Sequence, residues 1–126
     1  MRWLLDTSVL IDHLRGHEAC SEWLTENVER GASLFGLTVV RTELIAGMRP
    51  QESTATFALL SAIDWYDVTV PIADRAGTLA RKYLRSHPGI DTVDYLLAAA
   101  AQELDAKLAT RNVKHYPMFK GLKAPY

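Results

Sequence analysis

The chain has 126 residues, 48% of them hydrophobic, and a formal net charge of −1, enough for a single domain with a sizeable core. That charge names no polyanionic partner by itself, no apolar run approaches the ~18 residues of a membrane span, and Asp6 and Asp12 interrupt any signal-peptide pattern. One cysteine, Cys20, excludes an intrachain disulfide and fits a reducing compartment, so the expectation is a soluble cytoplasmic protein in which Cys20 serves packing.

The first element is the stretch Arg2-Trp3-Leu4-Leu5-Asp6-Thr7-Ser8, an apolar run that ends in a carboxylate and two hydroxyls. It predicts a buried strand breaking into a short helix over Ser8 to Leu14, stopped by Gly16. Glu18 to Arg30 predicts an amphipathic helix with Cys20, Trp23, Leu24 and Val28 on its apolar side, ended by Gly31. Ser33 to Leu37 predicts a short buried strand. Thr38 is expected to cap the next helix, which carries Val39, Val40, Leu44 and Ile45 and ends near Gly47. Pro50 and Ser53 open another helix, with Phe57, Leu59, Leu60 and Ile63 apolar.

Tyr66 to Val70 alternates with period two and predicts a strand. Pro71 then starts the clearest amphipathic helix, where Ile72, Ala76, Leu79, Ala80 and Tyr83 recur at three and four residues. His87-Pro88-Gly89 stops it. Asp91 or Asp94 opens a helix whose body, Tyr95 to Ala101, is apolar all round and is therefore expected to be buried. Lys107 to Thr110 is the fourth strand, and residues 117–126 read as loop with room for a short edge strand. Strands alternating with helices predict an α/β domain: a mostly parallel sheet of four or five strands with helices on both faces.

Four polar residues stand out against this frame. Asp6 ends the first strand, Glu43 lies early on the helix after the second, Asp94 begins the apolar helix, and Asn112 follows the fourth strand. Strand ends of a parallel sheet and the helix starts that follow them share one edge, where ligands of open α/β sheets bind. Three carboxylates and a carboxamide converging there repel one another and demand a cation or a raised pKa. An all-oxygen set suits Mg²⁺ or Mn²⁺ and argues against Zn²⁺. Each residue also has a structural role open to it: Asp6 as a helix cap, Glu43 as an exposed helix acid, Asp94 offsetting the positive helix end, Asn112 in a turn. Charge is unevenly spread as well. All fifteen acids precede residue 106, whereas Lys107, Arg111, Lys114, Lys120 and Lys123 follow it without one. Such a basic end is either a phosphate-contacting edge or a solvated tail.

Taken together, four segments resemble the PIN-domain ribonucleases, specifically the toxins of VapBC-type toxin–antitoxin pairs. They are Leu4-Leu5-Asp6-Thr7-Ser8-Val9, Thr42-Glu43-Leu44-Ile45-Ala46-Gly47, Asp94-Tyr95-Leu96-Leu97-Ala98-Ala99, and Leu108 to Tyr116. They fall in order over nearly the whole chain. The resemblance implies a single PIN domain over residues 1–126 and a Mg²⁺-dependent endoribonuclease with Asp6, Glu43, Asp94 and Asn112 as catalytic and metal-binding positions. The fourth family position is often Asp, and here it is Asn112. It further implies an RNA substrate contacted by Arg111, Lys114 and His115, with Thr7, Ser8, Asp91 and Thr110 supporting the site. A VapB-type antitoxin and a homodimer are the partners it implies. Phosphatases of the haloacid dehalogenase type require a second Asp where Ser8 stands, and receiver domains require paired acids and a Lys after the last strand. Neither pattern is met. The remaining alternative is a catalytically weak PIN domain that binds RNA or protein.

Overall fold

The apolar run Arg2–Leu5 forms β1, the strand on which the sheet is centred. In a computed structural model covering all residues 1–126, β1 pairs in parallel with β2 (Ser33–Leu37) on one side and β4 (Lys107–Ala109) on the other. A third parallel neighbour, β3 (Asp64–Tyr66), pairs outside β2, giving the order β3-β2-β1-β4. Between the strands lie α1 (Thr7–Leu14), α2 (Glu18–Glu29), α3 (Thr38–Gly47), a 3₁₀ turn (Pro50–Glu52), α4 (Ser53–Ala62), α5 (Val70–Tyr83) and α6 (Thr92–Glu103). The chain builds outward from β1 to β3 and then returns to the far side of β1. Right-handed crossovers therefore send α1–α4 and α5–α6 to opposite faces of the sheet. This return makes the β1–β4 border a topological switch point, where the strand ends splay apart into a crevice.

The core runs through both faces. Leu4, Leu5, Val9, Leu10, Leu37 and Val40 are fully buried, as are Leu97 to Ala100 of α6. The apolar all-round helix is thus buried as its sequence requires, packing against α5 and β4. Small residues at 98–101 let α6 approach closely. Cys20 is buried and its Sγ lies 3.3 Å from the Val9 carbonyl, a packing role.

Several local expectations are corrected. The alternating run 66–70 is not a strand: β3 lies earlier and ends at Tyr66, where its pairing with Leu37 stops. Beyond it Thr69 caps α5, accepting from the Ile72 amide at 3.3 Å, and Val70 falls in the first helical turn with 74% of its surface exposed. Cap and proline chemistry outweighed alternation because no strand was available to pair with it. Thr38 does not cap α3 but is its first residue; Leu37 occupies the cap position without a side-chain bond. The predicted apolar faces of α2 and α4 include Val28 and Phe57, which are 60% and 40% exposed. Residues 117–126 contribute no strand, so the sheet has four.

One glycine is fixed by packing. Gly36 pairs with Trp65 across β2–β3, and a Cβ placed there would lie 2.5 Å from the Trp65 ring. The indole cannot easily retreat, because its N–H donates to the Leu60 carbonyl at 2.7 Å and Arg41 stacks over its ring. Gly36→Ala is therefore expected to cost about 1–3 kcal/mol, the usual range for overpacking. Urea denaturation checks this: a midpoint equal to wild type shows that Trp65 has another rotamer available.

Candidate active site

The site forms where β1 and β4 end. The Asp6 amide donates to the Ala109 carbonyl at 3.0 Å, which joins the two strand ends and aims the Asp6 side chain into the crevice. Asp6 is only 4% exposed and accepts three hydrogen bonds. The Thr7 amide reaches Oδ1 at 2.8 Å, while Ser8 Oγ and Thr110 Oγ1 reach Oδ2 at 2.9 and 2.6 Å. Asp6 is thus both the N-cap of α1 and a buried carboxylate fixed by charge-assisted bonds. A second layer holds the donors. Ser8 Oγ accepts from the Arg111 amide and Thr110 Oγ1 from the Asn112 amide, at 3.1 and 3.0 Å.

Asp94 comes from the opposite side, in the first turn of α6, and is 8% exposed. It forms a reciprocal capping box with Asp91. The Asp94 amide donates to Asp91 Oδ1 at 3.0 Å, and the Asp91 amide donates to Asp94 Oδ2 at 3.2 Å. Asp91 itself is exposed. Burial is the largest cause lifting the Asp94 carboxyl above the ordinary carboxylate range. The Asp91 amide works against the rise, the Asp91 and Asp6 charges add to it, and His115 opposes it. The Asp6 charge acting on Asp94 marks two carboxylates sharing one poorly solvated crevice.

Glu43 stands at the crevice rim. It is exposed, and its Oε1 accepts from Thr7 Oγ1 at 2.8 Å, one residue from Asp6. Asn112 is also exposed, on the β4 side. The structure thus sets all four residues around the switch point, but it brings no three acids close enough to form a ready-made metal cluster. Only Asp6 and Asp94 are buried together.

Of the basic residues, Arg111 is turned away from the crevice. Its Nη1 lies 3.2 Å from Asp12 Oδ2, and its guanidinium stacks 5.0 Å over the Tyr126 ring. Lys114 is exposed. His115 Nδ1 lies 3.1 Å from Asp94 Oδ2 but off the line that a hydrogen bond needs, so the pair is a close charge contact that is favourable when the ring is protonated.

Sequence reasoning missed Tyr116. It is 1% exposed and donates through its hydroxyl to Asp94 Oδ1 at 3.2 Å. Burial and the nearby carboxylates keep that phenol protonated far above its ordinary range, so it serves only as a donor. A tyrosine in a polar loop carries no spacing signal. Only its place beside the site gives it this role.

Comparison with known proteins agrees with this geometry. Residues 3–117 match the family model of the PIN domain. Ribonuclease VapC19 of Mycobacterium tuberculosis is 48% identical over 123 residues, covering 98% of each chain. Ribonuclease VapC10 of the same organism is 45% identical over 124 residues, 98% of this chain and 92% of that one. In fold, the chain is similar to a structure of VapBC2 from Rickettsia felis bound to a promoter DNA fragment. The TM-score is 0.82 at 19% identity, with 98% and 97% of the chains covered. A DNA-bound VapBC structure from Salmonella typhimurium gives 0.81 at 18% identity, with 98% and 96% covered. A buried Asp6–Asp94 pair at the switch point of a four-stranded parallel sheet, with relatives of this identity matched from end to end, places the chain in the PIN-domain family, among the VapC ribonucleases.

Proposed function

We propose that this protein is a metal-dependent endoribonuclease that hydrolyses RNA phosphodiester bonds and acts as the toxin of a toxin–antitoxin pair. The observation that carries the chemistry is the buried pair of carboxylates, Asp6 and Asp94, in one crevice where burial above all, with the Asp6 charge adding to it, raises the Asp94 pKa. Two such charges in one crevice favour a cation between them. The donors around them are oxygens alone, which fits Mg²⁺ or Mn²⁺. Asp6 and Asp94 would hold the ion, with Glu43 supplied from the rim and Asn112 through its carbonyl. When bound, the ion acidifies a water and offsets charge on the phosphate oxygens.

The chain's own residues do the rest. Thr7, Ser8 and Thr110 fix the Asp6 oxygens so that they need not reorganise on binding. Tyr116 and the Asp91 capping box hold Asp94. Asp94, or Asp91 beside it, is the acid placed to take a proton from the attacking water. Lys114, free on the basic side, is placed to hold a phosphate flanking the scissile one. Arg111 and His115 are held by Asp12 and Asp94 and can join it only after leaving those partners.

The VapBC structures that the chain matches in fold support an antitoxin partner. A VapB-type antitoxin and a second copy of the chain complete the assembly in this reading. An apolar opening between α2 and α4, lined by Leu24, Val28, Leu59 and Ile63, is the surface that such an antitoxin segment would cover. No helix is long and apolar enough to cross a membrane, and the site of action is proposed to be the cytoplasm, where RNA is available.

The position that departs from the usual acid gives a direct test of the ligand set. Asn112→Asp adds a fourth negative charge beside the ion and is expected to tighten Mg²⁺ binding by about tenfold, the effect of roughly 1.4 kcal/mol. The midpoint of a Mg²⁺ titration of thermal stability reads this change. Weaker binding in Asn112→Asp shows that Asn112 contacts substrate or orients a ligand instead. The whole reading is tested by mapping new RNA ends after brief expression. Discrete cuts for wild type, absent for Asp6→Asn, are expected. The absence of three clustered acids also favours a second reading, a weakly catalytic binding module, and RNA ends that do not differ between the two proteins would establish it.

A further inference from the structure

From the edge of the site a cavity of about 320 Å³ runs between α1, α3 and the start of α4. Glu43 lines it and accepts from Thr7, the neighbour of Asp6, at 2.8 Å, so the cavity adjoins the crevice that holds Asp6. Its floor is apolar, made by Ile11, Leu14, Leu44 and Met48. Arg15 and Arg49 stand exposed at its rim. Thr56, which is 2% exposed and takes part in none of the chain's side-chain hydrogen bonds, lines it from α4 together with Glu52. Glu52 is fixed there because one oxygen accepts from the Arg49 amide at 2.7 Å.

We infer that this cavity is the subsite for one nucleotide of the RNA next to the scissile phosphate, and that Thr56 and Glu52 read its base. The inference rests on the ribonuclease reading and adds the source of its sequence preference. Each part of a nucleotide has a counterpart here. The apolar floor offers a face for the flat base, as single-strand recognition requires. Two guanidinium groups at the rim match the phosphate. The buried Thr56 hydroxyl and the exposed Glu52 carboxylate match the hydrogen-bonding edge of the base, and a carboxylate prefers bases that present an amino group. An apolar peptide side chain would leave Thr56 and the rim arginines unmatched, so a nucleotide suits the cavity better.

Two variants alter the cavity without touching the catalytic acids. Thr56→Val removes the hydroxyl at nearly constant volume. Gly47→Leu fills space, because a Cβ at Gly47 meets nothing within 4 Å. Binding is measured by fluorescence anisotropy in EDTA with single-stranded hexamers of rA, rC, rG and rU. Cleavage of the same four in Mg²⁺ is measured alongside, and thermal melting confirms folding. Wild type is expected to favour one hexamer over the weakest by about tenfold or more. Both variants are expected to shrink that spread below about threefold, with melting unchanged. Arg49→Ala should weaken all four about equally and lower the salt dependence. Equal binding of all four hexamers by wild type overturns the subsite, as does a spread that survives in both variants. If wild type cuts RNA in Mg²⁺ while the variants keep their spread, the subsite alone falls. If wild type neither binds nor cuts any of the four, the ribonuclease reading falls with it. Variants that lose only binding of a protein partner would show that the cavity serves that partner and not RNA.

Discussion

Asp94→Asn is expected to abolish RNA cleavage, by well over about a hundredfold, and to leave the fold intact. Loss of groups that only support a metal ligand already costs about 10–100-fold, and Asp94 is a buried acid of the crevice itself. Asparagine keeps the shape: its carbonyl oxygen can accept from the Asp91 amide, and its NH₂ can donate to the Tyr116 hydroxyl oxygen in place of the bond that Tyr116 donates to Asp94. Asp91→Asn should lose less activity, since Asp91 is exposed and its oxygen serves the Asp94 amide as a cap. A reversed ranking in single-turnover cleavage overturns the assignment.

The same substitution has a pH signature in the metal-free protein. Burial raises the folded-state pKa of Asp94 above its unfolded value. Between those two values the folded state binds a proton that the unfolded state does not, so stability from this group grows on acidification and is lost as pH rises through the raised pKa. Asp94→Asn should flatten that part of the stability profile. A profile identical to wild type would show that Asp94 is solvated in the free protein.

The second large effect is expected from Thr110→Val. Thr110 is fully buried, donates to Asp6 at 2.6 Å and accepts the Asn112 amide. Valine matches its shape but leaves the Asp6 Oδ2 with one donor and the Asn112 amide without its acceptor. Cleavage should fall about 10–100-fold, with more Mg²⁺ needed for half-maximal rate, and stability should fall by about 1–3 kcal/mol. Thr110→Ser, which keeps the hydroxyl, should recover most of the activity. A valine variant as active as wild type would make the Thr110 bond a structural detail only.

These residues also show which parts of the molecule were legible in the sequence. β1, β2 and α6 were clear because buried stretches leave a mark: apolar runs bounded by Asp6, by Gly31 and by the Asp91–Asp94 box. The placement of Asp6, Asp94 and Asn112 near one edge was legible because each follows or opens an element of a parallel sheet, with Glu43 a turn and a half into α3; their roles as ligands belong to the proposed function. The 66–70 segment was misread because alternation is a local pattern, whereas strand identity depends on a partner, and β2 had no residue left to pair beyond Leu37. Val28 and Phe57 read as core from hydropathy, yet the chain covers them only in part. Contacts across long sequence separations were invisible. Tyr116 reaching Asp94 and Arg111 folding back onto Asp12 and Tyr126 depend on where the last loop lies, and no spacing rule records that.

The most direct test of the account is cleavage of one defined single-stranded RNA, taken from a mapped cut site, by purified protein in Mg²⁺ and in EDTA. Wild type should cut at that site in Mg²⁺ and stop in EDTA, and Asp6→Asn, with unchanged melting, should not cut in either. Cutting that persists in EDTA, or an Asp6→Asn protein as active as wild type, would contradict the claim that the carboxylate crevice at the β1–β4 switch point is the catalytic centre.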